Sequence, residues 1–350
     1  MLRLGIIGTG GIAHFHMEAY KKLGERIECV ACCDLDYDKA DRFAKEFGFA
    51  KVYSDCREMM AKEKLDMVSV CTWNKSHAEC TIVALEGGAN VLCEKPMAMN
   101  AAEAMEMEAA AEKAGKLLMI GFCRRHGNDA KMALDFIEKG FLGDVYYART
   151  KYIRRAGCPG GWFGDKSFSG GGPLIDLGVH VIDLCRYVLG NPKPVSAFGV
   201  SYDNIGYRPN LRVPGMAWTV TPSNYRPTYN VEDFVSALIT FDNGATISVE
   251  TSYNLFEEGD SGEMKIFGTK GGLDMNTFNI YTDVNDNVAD VRVKSFGGCG
   301  DFFANEIKHF ADCVEFGVPC IAPAKDGVAM MKILDAIYLS AKTGKSVDID

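Results

Sequence analysis

No apolar run in this 350-residue chain approaches the roughly 18–20 residues that a bilayer span requires, so no membrane partner is expected. Positive charge is in deficit. Lys and Arg total 38 against 47 Asp and Glu, and the net charge of −9 argues against a nucleic-acid backbone as general partner while leaving room for a locally basic pocket. The start of the chain, Met1-Leu2-Arg3-Leu4-Gly5, lacks the charged, apolar and small-residue succession of a secretory leader and runs straight into a glycine-rich turn. The 13 cysteines are an odd number, scattered largely through apolar runs (Cys29, Cys32, Cys33, Cys71, Cys93). They lack the pattern of a secreted disulfide scaffold and suit reduced, buried thiols in a cytoplasm. Cys29 and Cys32 form a lone C-x-x-C inside a predicted strand, which turns them to opposite faces, and His14 and His16 diverge in the same way on a helix. No metal is expected, and the two histidines read as packing or capping residues.

What is present is ordinary for a folded protein with a core, 47% hydrophobic and 24% charged residues, at a length that suggests two domains. Short apolar runs at Leu2–Ile7, Ile27–Cys33, Met67–Cys71, Ala89–Cys93 and Leu117–Phe122 read as strands. Helical stretches at Ile12–Leu23, Tyr37–Phe47, Ser76–Glu86 and Ala101–Ala114 alternate with them. This rhythm predicts a parallel α/β sheet covered on both faces, with its ligands beyond the carboxyl ends of the strands.

The first such end is Gly8-Thr9-Gly10-Gly11-Ile12-Ala13, a G-x-G-x-x-A turn opening a helix. Gly8, Gly10, Gly11 and Ile12 would meet a pyrophosphate through backbone N–H groups at the helix start. The second strand ends at Asp34, 21 residues after Ala13, where a carboxylate accepts from an adenosine ribose and repels a 2′-phosphate. NAD is therefore expected rather than NADP, and Leu35-Asp36-Tyr37-Asp38 holds no arginine to reverse the preference. Thr72, Asn74 and His77, after the third strand, are candidates for the cofactor cleft, and Ser76 for a helix cap. After the fourth strand, Glu94-Lys95-Pro96 reads either as a solvated ion pair or as working groups held by a proline.

The rhythm stops near Cys123. Arg124-Arg125-His126 begins a crossover, followed by a helix at Ala130–Glu138, a strand at Val145–Tyr152 and a glycine-rich loop at Gly157–Gly172. Further strands are predicted at Val195–Tyr202, Phe234–Asp242, Ala245–Tyr253, Glu263–Phe267 and Val291–Ser295, and helices at Phe302–Glu315 and Gly327–Lys342. Asp242-Asn243-Gly244 signals a hairpin, so the second domain is expected to be α+β around a mostly antiparallel open sheet. The division is expected at 1–122 and 123–350. Along Leu174–Leu189, Asp176, His180, Asp183 and Arg186 form one polar stripe on an apolar helix, which by itself reads as a solvent-facing surface. The segment 205–230, with Pro209, Pro214, Pro222 and Pro227, reads as a long functional loop shaping a cleft or a subunit contact.

The glycine turn, Asp34, E-K-P at Glu94–Pro96 and G-G-G-x-x-x-D-x-x-x-H at Gly170–His180 together make the whole chain resemble the Gfo/Idh/MocA family. The resemblance implies an amino-terminal Rossmann domain and a carboxyl-terminal domain whose open sheet face joins subunits in a homodimer or homotetramer. It implies that Lys95 is catalytic, that the peptide bond before Pro96 is cis, and that Asp176 and His180 face the nicotinamide. It also sets Arg154, Arg155 and Trp162 in the substrate cleft, Trp162 packing near the nicotinamide, with the two arginines reading equally as simple surface charges; Arg124 and Tyr152 are taken as further substrate residues.

On that reading the chain is an NAD-dependent enzyme oxidising a secondary hydroxyl of a sugar, glycoside or cyclic polyol. His180 serves as general base, Asp176 orients it or contacts substrate hydroxyls, Lys95 holds the reacting oxygen, and Glu94 positions the lysine or the nicotinamide ribose. The alternative is an NAD-retaining, redox-neutral enzyme that cleaves or epimerises glycosides. A non-enzymatic sensor is a third, disfavoured because none of these residues is lost.

Overall fold

Strands that must be covered on both faces are apolar almost throughout, as the inner strands of the six-stranded first sheet are. The computed structural model describes residues 1–206 and 228–350. Its first sheet holds β1 (Leu2–Ile7), β2 (Ile27–Cys33), β3 (Lys51–Tyr53), β4 (Met67–Val70), β5 (Asn90–Cys93) and β6 (Leu118–Ile120), in the order β3-β2-β1-β4-β5-β6. Every pairing in it is parallel. The connections run through α1 (Gly11–Lys21), α2 (Tyr37–Phe47), α3 (Cys56–Lys62), α4 (Asn74–Glu86) and α5 (Ala101–Ala114). The chain order reverses between β1 and β4, which opens a crevice above their carboxyl ends.

After α6 (Asn128–Glu138), β7 (Val145–Ile153) and the short α7 (Lys166–Ser169), the chain winds as a π-helix over Leu174–Gly178 and continues as α8 (Val179–Val188). The second sheet is completed by β8 (Pro194–Tyr202), β9 (Phe234–Phe241), β10 (Thr246–Ser252), β11 (Ser261–Gly268), β12 (Gly271–Asp274), β13 (Asn279–Val284), β14 (Asn287–Arg292) and β15 (Val347–Asp348). Its order is β14-β13-β12-β11-β7-β10-β9-β8-β15, antiparallel except where β10 lies parallel to β7. Strand β9 alternates as a half-covered strand should: Val235, Ala237, Ile239 and Phe241 are buried, while Leu238 is exposed opposite Phe198 of β8. Two last helices, α9 (Phe302–Phe316) and α10 (Ala324–Thr343), return to the first layer. Helix α9 packs on α1, and α10 lies between α5 and β8.

Several expectations are corrected. Strand β3 and helix α3 were not foreseen, because both are short and β3 has no buried residue to mark it. Ser76 is not the cap of α4, which starts at Asn74 after Trp73. Of the run Val291–Ser295 only Val291 and Arg292 are in a strand, as the end of β14; β13 and the rest of β14 lie earlier, and their largely exposed residues give no apolar signal. The segment 207–227 of the proposed long loop lies outside the described residues.

The polar stripe of Asp176, His180, Asp183 and Arg186 does not face solvent. Asp183 and Arg186 are buried with Arg125 and Asp326. Arg125 clamps the two oxygens of Asp183 at 2.6 and 2.9 Å and reaches Asp326 at 2.8 Å, and Arg186 reaches the same Asp326 at 3.2 Å. Arg125 also donates to the Ile321 carbonyl at 2.6 Å. The network joins the crossover after β6 to α8 and the start of α10, which fixes α8 relative to the first sheet. Arg125→Ala would leave two buried carboxylates short of a cation, and we expect a loss of about 3–5 kcal/mol in unfolding free energy, read by urea denaturation of the full chain.

Candidate active site

The crevice begins at Gly8. Its φ is +88°, and a Cβ there would lie 2.6 Å from the Cys71 carbonyl oxygen, so the turn between β1 and α1 admits only glycine. Helix α1 starts at Gly11 with no side-chain cap and no acid in its first turn, and a Cβ on Gly10 would meet nothing within 4 Å. Uncapped N–H groups facing open space fit a dinucleotide pyrophosphate. Asp34, at the end of β2, accepts from the Thr9 amide and hydroxyl, both at 2.9 Å, and from Lys39 Nζ at 2.7 Å. Burial works to raise its pKa, but Lys39 and the amides of Thr9 and Asp36 outweigh it and hold the carboxyl below the usual range. An ionised acceptor at this strand end fits an adenosine ribose. Thr9 and Lys39 are contributors the sequence reading missed, since it stopped one residue short of Lys39.

The next strand ends carry residues that mostly secure the backbone. Asn74 is buried and donates to the Ser169 carbonyl at 2.8 Å, which ties the start of α4 to the second domain. His77 sets its ring nitrogens against the Pro96 carbonyl at 2.7 Å and the Thr72 carbonyl at 3.1 Å. It therefore holds the Glu94–Pro96 turn against the end of β4. Thr72 donates to the Trp73 carbonyl. The Lys95–Pro96 peptide bond is cis.

Glu94 is buried, and its carboxylate meets His16 Nε2 at 2.8 Å and accepts from the Lys95 amide at 3.1 Å. His16 is thus packed, as its sequence position suggests, but it also anchors Glu94. Burial pushes Glu94 up; His16, then Lys95 and His77, bring it below the ordinary carboxylate value. Behind it lies Glu306 of α9, fully buried, with neither carboxyl oxygen hydrogen-bonded. Burial and the neighbouring Glu94 keep Glu306 protonated far above the usual range. His14 packs edge-on against Phe43 and Phe47.

Lys95 crosses to the second domain. Its Nζ donates to Asp176 Oδ1 at 2.9 Å and to the Asp176 carbonyl at 3.1 Å. The other Asp176 oxygen accepts from the buried Tyr253 hydroxyl at 2.8 Å. Burial lowers Lys95 and raises Asp176, but the pairing reverses both directions: the lysine ends above its ordinary value, the aspartate below. The segment bearing Asp176 is seated by Glu232, which accepts from the Gly172 and Leu174 amides at 3.0 and 3.3 Å and from the Tyr338 hydroxyl at 2.9 Å. A Cβ at Gly172 would come within 2.5 Å of the Glu232 carbonyl oxygen, which accounts for glycine there. His180, one turn on, is held well below the ordinary histidine value by burial first and the Lys95 cation second, against the pull of Asp176.

The remaining candidates divide. Arg154 lies with its guanidinium over the Tyr152 ring at 5.4 Å and donates to the Gly157 carbonyl at 2.9 Å. Burial lowers its pKa, but Asp176 and Tyr152 more than offset that and hold it above the ordinary value. Tyr152 packs against Leu177 and Tyr253 in a small apolar cluster beside Asp176. Arg124 pairs with Asp129 at 2.7 Å, and its charge adds to the lowering of His180. Arg155 is exposed and donates to the Glu258 carbonyl and, through its amide, to Asp260; it is not brought beside Asp176 and His180. Trp162 stacks on Phe163 with ring centres 4.0 Å apart. Tyr253 and Glu232 had no sequence signal, because each lies in an ordinary strand-rich stretch and gains its role only by facing Asp176 or Gly172.

A dinucleotide cradle in one layer, facing an acid and a neutral imidazole carried by the next, defines an oxidoreductase that uses a nicotinamide nucleotide. Comparison with known proteins makes this specific. A family model described as an oxidoreductase family with NAD-binding Rossmann fold matches residues 2–122, and the GFO/IDH/MocA carboxyl-terminal domain matches residues 131–274. The chain belongs to the Gfo/Idh/MocA family of oxidoreductases, and NAD is its cofactor. It is similar to D-glucoside 3-dehydrogenase of Escherichia coli, 34% identical over 350 residues that cover 99% of this chain and 97% of the relative. It is also similar to myo-inositol 2-dehydrogenase of Thermotoga maritima, 24% identical and covering 100% of this chain and 99% of the relative. Among solved structures, levoglucosan dehydrogenase in complex with NADH matches with a TM-score of 0.86 at 26% identity, covering 100% of this chain and 99% of that one.

Tyr253→Phe removes a donor from a buried carboxylate, an interaction worth about 1.5–3 kcal/mol. We expect turnover to fall at least tenfold while the NAD dissociation constant holds, read by steady-state kinetics beside NADH fluorescence titration.

Proposed function

We propose that the protein is an NAD-dependent dehydrogenase of a secondary hydroxyl on a sugar, glycoside or cyclic polyol, with Lys95, Asp176 and His180 as its catalytic residues. The observation that carries this reading is the Lys95–Asp176 pair at 2.9 Å beside an imidazole kept neutral. The names of the relatives, dehydrogenases of a glucoside, levoglucosan and inositols, support the substrate class. Residues 1–122 carry the cofactor on this reading, and residues 123–350 hold substrate and join subunits.

Gly8, Gly10, Gly11 and Ile12 would hold the pyrophosphate, Asp34 the adenosine ribose, and Thr72, Asn74, His77, Glu94 and Trp162 would flank the rest of the cleft. Bound there, the nicotinamide supplies the acceptor for a hydride. The chain's own part is proton transfer and charge. His180, neutral and partly buried, takes the hydroxyl proton as the carbinol C–H bond breaks and returns it in the reverse direction. Lys95 donates to the reacting oxygen and stabilises its growing negative charge. Asp176 holds the lysine through one oxygen and is itself held by Tyr253 through the other. Arg154, Tyr152 and Arg124 would line the substrate side, and Arg155 is left outside that wall.

The outward face of the second sheet exposes Phe198, Tyr202 and Leu238, and we read it as the contact between copies in a homodimer or homotetramer. No helix among the described residues is long and apolar enough to cross a membrane, and none of the 13 cysteines is in a disulfide, which fits a cytoplasmic enzyme.

NADH absorbance, followed while the purified protein meets NAD and a panel of glycosides, free sugars and inositols, tests the function. A substrate-dependent rise is expected; product formed with no rise would indicate the NAD-retaining, redox-neutral reaction instead. Lys95→Ala should lower turnover by at least 100-fold with little change in NAD affinity, and equal losses in both would contradict its role. The pH profile has a defined sign. Because the folded pKa of His180 is depressed, the base stays unprotonated as pH falls through roughly 6.5, the ordinary histidine value. The acid limb of kcat/KM for oxidation should therefore lie clearly below that value.

A further inference from the structure

Outside the catalytic cleft, three donors converge at the carboxyl end of α9. His309 and Cys313 stand one helical turn apart, and Cys320 returns beside them after the chain turns at Gly317. One nitrogen of His309 and the sulfurs of Cys313 and Cys320 all lie within 4.8 Å of one another. The Cys313 sulfur is 3.4 Å from His309 Nε2. The Ile321 amide donates to that same Nε2 at 3.2 Å, so this nitrogen is the acceptor of the ring, and a cation bound there would take its lone pair in place of that amide. A tetrahedral ion with bonds of about 2.0–2.3 Å spaces its ligand atoms about 3.4–3.8 Å apart. The contact between Cys313 and His309 already has that spacing.

A further donor stands beside His309, on the crossover after β6. The His126 ring centre is 5.2 Å from that of His309, the side chain is nine-tenths buried, and its Nε2 has no hydrogen-bond partner. Burial, His309 and Arg125 push its pKa down to about 3, so the ring is neutral. A buried imidazole nitrogen without a partner is costly unless something else takes its lone pair.

We propose that His309, Cys313 and Cys320 bind a thiophilic divalent cation of the zinc class, with His126 as the fourth ligand. Two thiols and two imidazoles form a set that selects zinc-like ions over calcium or magnesium, which take oxygen ligands. The position also has a structural consequence. The loop holding Cys320 leads to Ala322, whose carbonyl accepts from the Ile120 amide of β6 at 2.9 Å. A cation there joins α9, that loop and the crossover between the two sheets, and so braces the seam of the molecule without touching the Lys95–His180 chemistry.

The full chain, reduced and freed of metal, is titrated with Co²⁺. The expected result is one equivalent bound, with a near-ultraviolet thiolate charge-transfer band and the visible bands of a tetrahedral ion, both bleached by Zn²⁺. Cys313→Ser and Cys320→Ser should each weaken the charge-transfer band and the affinity and the double variant should lose the band, His126→Ala should keep it with weakened tetrahedral bands, and Cys299→Ser should change neither. Zn²⁺ should raise the melting temperature by several degrees in the wild-type chain and not in Cys320→Ser. Should a variant fail to fold, alkylation mapping of the wild type decides, since Zn²⁺ must protect Cys313 and Cys320 ahead of the other thiols. Absent bands, a charge-transfer band undiminished in Cys320→Ser, or unprotected thiols would overturn the proposal. So would a mass deficit of two hydrogens on the peptide pair, which would make the two cysteines a disulfide.

Discussion

A lysine and an aspartate lying 81 positions apart in sequence meet at 2.9 Å where the two sheets adjoin, and the arrangement of the site follows from that contact. Lys95 stands at the carboxyl end of β5 on the turn that begins at Glu94. Asp176 stands on the π-wound segment that leads into α8. Neither charge is sustainable alone in so buried a place, because an unpaired ion there loses its hydration without compensation. Together they keep each other ionised, beside a His180 ring that the Lys95 cation helps to keep neutral.

The surrounding structure holds this pair in register from both sides. In the first domain, His16 and the Lys95 amide fix Glu94, and His77 clamps the turn from above. In the second, Glu232 seats the glycine approach to Asp176, and Tyr253 fixes the carboxylate that remains. Farther along the same helix, Arg125 holds Asp183 and Asp326 together and so locks α8 to the crossover and to α10. Such buried pairs add little net stability against an apolar alternative, but breaking one of them is expensive, and that asymmetry makes them effective at fixing the angle between the layers.

Much of this was legible in the residues. The glycine turn and Asp34 read as the proposed cofactor cradle because only glycine tolerates the positive φ and close approach at position 8, and because an acid at that strand end suits a ribose. The polar stripe of α8 was legible as a stripe but not as a buried one. Helical periodicity reports which side chains share a face; it does not report what that face meets. Tyr253, Glu232, Lys39 and Glu306 were illegible for the same reason, since a single polar residue in an ordinary element has no periodic or spacing signal.

The sequence by itself determined five of the six strands and four of the five helices of the first 122 residues, the place of the glycine turn and the family to which the chain belongs. These depend on local properties: backbone freedom at glycine, side-chain periodicity, and short motifs read within a few residues. Tertiary structure alone decided that Lys95 meets Asp176, that His180 is kept neutral, that Arg155 is exposed, and that His309, Cys313 and Cys320 gather at the end of α9. Each depends on burial and on charges brought together from distant segments, and desolvation is a property of the packed molecule rather than of any stretch of chain.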